Sequence, residues 1–75
     1  MRTNRLRSVR LSKDMTAEEL AQAVTDSGHK VSESMIYQIE RGEKNPSLDL
    51  AAAISRVLGE PIESLFLQSD RTERA

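Results

Sequence analysis

The sequence predicts an all-α domain, a compact bundle of five short helices. Three observations lead there. Apolar residues recur at three- and four-residue spacing, the periodic segments open on Ser or Thr and close on Gly, and no run alternates with period two over a useful length. The chain has 75 residues, near the lower limit at which one hydrophobic core sustains a fold without staples. It contains no cysteine, which excludes disulfides and thiolate metal sites.

The first helix is expected from Thr3 or Asn4 to Ser12, with Leu6 and Val9 inward and Arg10 at the edge of the same face. Asp14 breaks it. Thr16 opens the second helix through T-A-E-E, a capping box in which the Thr16 hydroxyl bonds the Glu19 amide and the Glu19 carboxylate reaches back. Leu20, Ala21 and Val24 form its apolar stripe, and Gly28 is the expected C′ residue. Ser32 caps the third helix, which runs over 32–41 and stops at Gly42. In the turn E-K-N-P-S, Pro46 disfavours helix at Asn45 and Ser47 caps the fourth helix, Leu48 to Leu58, where Leu48, Ala51, Ile54 and Leu58 share the expected core face. Gly59 ends it, and Pro61 starts a fifth helix that carries Ile62, Leu65 and Phe66 back to the core. The domain is expected over 1–67, with a polar, disordered tail over 68–75.

The third helix organises the rest. At about 100° per residue, Met35, Ile36 and Ile39 fall on one side, while Glu33, Ser34, Tyr37, Gln38 and Arg41 fall on the other. A short helix with hydroxyl, amide, phenol and guanidinium groups outward suits the edges of bases in a DNA major groove. An ordinary amphipathic helix with a solvated face has the same pattern. Net charge is −1, a poor match to a nucleic-acid binder, but its distribution is uneven. Arg2, Arg5, Arg7, Arg10 and Lys13 come before any acid, and the remainder is acidic. One Tyr and one Phe argue against a base-stacking module for single strands.

Two helices joined by a turn, the second with a polar outer face, make a helix-turn-helix. The segments D-M-T-A-E-E-L-A (Asp14 to Ala21) and I-Y-Q-I-E-R-G-E-K-N-P-S-L (Ile36 to Leu48) resemble the phage-repressor and Cro-like helix-turn-helix family, the XRE type. I-S-R-V-L-G-E-P-I-E-S-L-F (Ile54 to Phe66) resembles its fourth and fifth helices, so the likeness covers most of the chain. The I-E-R-G-x-x-N-P-S string is its most specific part. The resemblance implies a lambda-repressor-like fold and a sequence-specific regulator of transcription that binds double-stranded DNA, acting as a repressor by occluding a promoter.

By that resemblance, Glu33, Ser34, Tyr37 and Gln38 are the base-contacting positions. Gln38 suits adenine N6 and N7, Glu33 the N4 amine of cytosine, Ser34 several bases, and Tyr37 a thymine methyl or a phosphate. Phosphate contacts are implied near Thr16 and Ala17 and at Lys44, Asn45 and Ser47. Arg41 and Lys30 are further phosphate candidates, as are Arg2 and Arg5, though the resemblance does not fix them. Arg10 and Glu40 match positions that form a buried, structural ion pair.

Two departures stand out. Between Val24 and Ser32 the chain has about five residues more than the tight turn of such proteins, so the angle between the second and third helices is open. His29 and Lys30 lie there; a lone loop histidine is ordinarily a solvated one. On the fourth helix Leu50, Ala53 and Val57 form a second apolar stripe, which either packs under helix one or five or makes a homodimer contact. A homodimer through helix four or the C-terminal region would read two half-sites one DNA turn apart.

A protein-interaction module on the same fold, such as an antitoxin, accessory subunit or antirepressor, is the alternative function. An enzyme is not expected: His29 has no nucleophile partner, Glu18 and Glu19 diverge by about 100°, and no glycine-rich phosphate loop or metal-ligand spacing occurs. No cofactor or small-molecule ligand is expected. With no signal peptide or membrane span in the sequence, the expected location is the cytoplasm.

Overall fold

The computed structural model describes residues 4–66. The expectations placed on Arg2, on Thr3 as a helix start and on the tail over 68–75 lie outside these residues. Five helices and no strand occur among them: α1 (Leu6–Ser12), α2 (Ala17–Asp26), α3 (Glu33–Glu40), α4 (Leu48–Leu58) and α5 (Ile62–Leu65).

Local chemistry sets most of the helix ends. Thr16 and Glu19 make the expected capping box, with the Thr16 amide donating to Glu19 Oε1 at 2.9 Å and the Glu19 amide to Thr16 Oγ1 at 3.0 Å. Ser32 and Ser47 accept from the amides of Met35 and Leu50. Asp14, at φ 58°, turns the chain out of α1 in the left-handed region that Asp tolerates better than most residues. Gly28, at φ 110°, closes α2 in a Schellman motif: its amide donates to the Thr25 carbonyl and the next amide, from His29, to Val24. Gly42 repeats the pattern after α3, with Gly42 and Glu43 amides donating to Ile39 and Gln38.

The first helix starts later than the sequence suggests. Asn4 stands just outside it, its Oδ1 accepting from the Leu6 amide and its Nδ2 donating to the Ile39 carbonyl at 2.7 Å. One side chain therefore begins α1 and ties it to the end of α3. The Arg5 amide donates to the Leu65 carbonyl at 3.0 Å, joining α1 to α5.

Packing assembles α2 on α3 as the helix-turn-helix, with α1 bracing α3 and α4 supporting α2 and α5. The core consists of Leu6, Val9, Ala17, Leu20, Ala21, Val24, Val31, Ile36, Ile39, Ala53, Ile54, Leu58 and Leu65, with Met15, Met35, Leu50, Val57 and Phe66 half-buried against it. The second stripe of α4 thus packs on the core. Leu48 does not: it is 75% exposed. The buried face of α4 centres on Ile54, and at about 100° per residue Leu50, Val57 and Leu58 lie within about 60° of it while Leu48 lies about 120° away. The two stripes are one broad face, and Leu48, in the first turn beside the exposed 41–45 turn, falls off its edge.

The lengthened connection is Ser27–Ser32. Thr25, on the last turn of α2, spans it, its hydroxyl donating to the Val31 carbonyl (3.1 Å) and accepting from the Val31 amide (3.2 Å). With Val31 buried in the core, α3 enters at a defined position despite the extra length. Beside it, His29 is half-buried rather than simply solvated, and among the described residues its buried Nδ1 has no hydrogen-bond partner.

Candidate nucleic-acid interface

The outer face of α3 follows from its inner one. Ile36 and Ile39 are fully buried, so helical periodicity turns Glu33, Ser34 and Tyr37 outward, with Gln38 half-buried at the edge. The Tyr37 hydroxyl donates to Glu33 Oε2 at 3.3 Å, an i, i+4 pair that orients both groups on the exposed surface.

A buried ion pair holds α3 from behind. Arg10 Nε donates to Glu40 Oε2 at 2.6 Å and Nη2 to Oε1 at 3.2 Å, a two-pronged contact between residues each 5% exposed. Arg10 Nη1 also donates to the Met15 carbonyl at 2.9 Å, so one guanidinium joins α1, the α1–α2 turn and α3. The hydrogen bond to Glu40 raises the guanidinium pKa above its ordinary value, outweighing the opposing effect of burial. Arg10 and Glu40 are thereby occupied in structure and withdrawn from solvent.

Two grooves flank Tyr37. One, of about 530 Å³, is lined by Asn4, Arg7, Tyr37, Glu40 and Arg41. The other, of about 430 Å³, runs past Arg7, Asp14 and Met15 to Thr16 and Ala17 at the start of α2. The structure thus brings Tyr37, Arg41 and the α2 N-terminus around Arg7. Sequence reasoning placed Arg7 only in the basic amino end. Its spacing from Arg10, one helical turn on the side of α1 that meets α3, was the available signal.

The other candidates differ in what they can offer. Ala17 is fully buried, leaving its backbone amide as the group that could meet an anion, and the Thr16 hydroxyl is engaged in the capping box. Ser47 is exposed, but its hydroxyl accepts from the Leu50 amide. Lys30, Lys44 and Asn45 are exposed and lie outside both grooves. Arg41 is held by Glu43 in a two-pronged, exposed pair, Nε to Oε2 at 2.8 Å and Nη2 to Oε1 at 3.1 Å. Their hydrogen bonding raises the Arg41 pKa and lowers that of Glu43. Gly42 permits the contact by reversing the chain between them, a relation that helix periodicity alone does not reveal.

Residues 6–65 match the helix-turn-helix family. The chain belongs to this family, in its XRE type. Similar proteins include two from Archaeoglobus fulgidus, each named an uncharacterised HTH-type transcriptional regulator. One is 44% identical over 93% of this chain and 91% of its own length, the other 42% identical over 89% and 86%. A third, from Methanocaldococcus jannaschii and also named an uncharacterised HTH-type transcriptional regulator, is 36% identical over 89% of this chain and 94% of its own. Among the described residues, no helix is long and apolar enough to cross a membrane.

Proposed function

We propose that this helix-turn-helix protein is a sequence-specific regulator of transcription that binds double-stranded DNA, represses by occupying a promoter, and reads the major groove with α3. The observation that carries the proposal is the exposed polar face of Glu33, Ser34 and Tyr37, braced from behind by the Arg10–Glu40 pair and flanked by the N-terminus of α2. Family membership and the names of the relatives support the same reading.

In this reading Gln38 pairs with adenine, Glu33 accepts from cytosine, Ser34 bonds a base edge, and Tyr37 packs on a thymine methyl. The amides of Ala17 and its neighbours meet a phosphate at the α2 N-terminus, and Lys30, Lys44, Asn45 and Ser47 follow the backbone on either side. Arg41 joins them once a phosphate replaces Glu43. Two copies, associated through α4 or the C-terminal region, would bind half-sites one DNA turn apart and gain affinity that one small module lacks.

Selection from a randomised duplex pool, followed by anisotropy titrations at several salt concentrations, tests this. The expected result is an enriched inverted motif and a log–log salt slope of about −3 to −4.5 per monomer, for about three to five neutralised phosphates. Gln38→Ala should relax only a few base positions. No enrichment and no salt-sensitive binding would overturn the proposal and direct attention to a protein partner.

A further inference from the structure

We propose that Arg7 binds a phosphate of the duplex and is the principal cationic anchor of the interface, an inference that rests on the DNA-binding reading above. Three guanidinium groups line the two grooves beside Tyr37: Arg7, Arg10 and Arg41. Two are already committed, Arg10 to Glu40 and Arg41 to Glu43. Among the described residues Arg7 has neither an ion-pair nor a hydrogen-bond partner for its side chain, and it is exposed.

Geometry places this free charge where it is useful. Arg7 and Arg10 are one turn apart on α1, as Tyr37 and Glu40 are on α3. Arg7 lies beside Tyr37 because it lines both grooves that Tyr37 separates. A phosphate beside Tyr37 would find a guanidinium that needs no partner exchange. The polar groups nearby do not compete strongly. Both ends of the Asn4 amide are used within the fold, and Asp14, which lines the second groove, makes no ion pair with Arg7. Net charge matters less to binding than an unpaired cation beside the reading helix, and Glu40 and Glu43 are already paired with Arg10 and Arg41.

The test compares wild type, Arg7→Gln, Arg7→Lys and Gln38→Ala on the selected duplex and on a scrambled duplex, from 50 to 200 mM salt, with thermal melts of each protein. A phosphate contact predicts that Arg7→Gln melts like wild type, weakens both duplexes by the same factor, about tenfold at the lower salt, and makes the log–log slope shallower by about 0.9. Arg7→Lys should restore the slope, and Gln38→Ala should leave it unchanged while weakening only the selected duplex. An unchanged slope for Arg7→Gln, or a loss confined to the selected sequence, would overturn the Arg7 assignment and leave the functional reading intact. A wild-type protein that binds neither duplex would overturn both.

Discussion

Arg10→Met asks whether the buried pair builds the fold or touches DNA. The substitution keeps an unbranched side chain but removes three hydrogen bonds, two to Glu40 and one to the Met15 carbonyl. It leaves the Glu40 carboxylate 5% exposed without a cation. Breaking a buried pair in this way costs about 3–5 kcal/mol. At ~0.05–0.15 kcal/mol per residue, a chain of this length has a total stability of about 4–11 kcal/mol, so at the lower bound the variant retains no more than about 1 kcal/mol. A loss of 3 kcal/mol corresponds to a melting point lower by at least about 12 °C. Thermal unfolding followed by far-ultraviolet circular dichroism measures it. The double variant Arg10→Met, Glu40→Leu should recover most of the loss, because replacing both charges by packed apolar groups avoids the stranded carboxylate. Because the Arg10 pKa is raised in the folded state, its contribution is complete below the unfolded value and fades only as pH climbs through the folded one, beyond the neutral range. If Arg10→Met melted within about 3 °C of wild type yet lost DNA binding, the structural argument would be refuted.

Glu43→Gln should tighten binding to both selected and scrambled duplexes and steepen the log–log salt slope by about 0.9, since it frees Arg41 for a phosphate; an unchanged slope would count against that contact. In a nuclear magnetic resonance titration the Glu43 carboxylate should have its midpoint below the ordinary range and return to it in Arg41→Gln. The sign follows from its lowered pKa: the pair is present above the unfolded value and is lost as pH falls through the folded one. Thr25→Val should cost about 1–3 kcal/mol by leaving the Val31 amide and carbonyl without the hydroxyl they share, seen as faster exchange of the Val31 amide. At Gly28 an added Cβ meets nothing within 4 Å, so Gly28→Ala should cost only the left-handed backbone penalty of about 1–2 kcal/mol, measured by urea unfolding.

Much of the fold was legible because its signals are local. Thr16 with Glu19, Ser32, Ser47 and the glycines at 28, 42 and 59 act within a few residues of themselves, and the helices begin and end where those residues place them. Leu48 was misread because residues 48, 51, 54 and 58 satisfy a helical stripe on paper, whereas burial depends on where the rest of the body ends. The late start of α1 depends on Asn4 reaching the Ile39 carbonyl, a contact between distant segments that no periodicity encodes. Along the candidate interface, the outward face of α3 could be read from the inward isoleucines. Which cations stay free could not, since that depends on Gly42 folding Glu43 back onto Arg41 and on α1 lying beside Tyr37.

The hydrogen bond from the Arg5 amide to the Leu65 carbonyl bears on how the protein matures during synthesis. The first helix emerges from the ribosome early but gains this partner only when the fifth helix has followed. Until then α1 has its ties to α3, through Asn4 and Arg10, but not its tie to α5. A nascent chain halted before Leu65 would therefore lack the tie from α1 to α5, and closure of the bundle waits for residues 62–65 to fold.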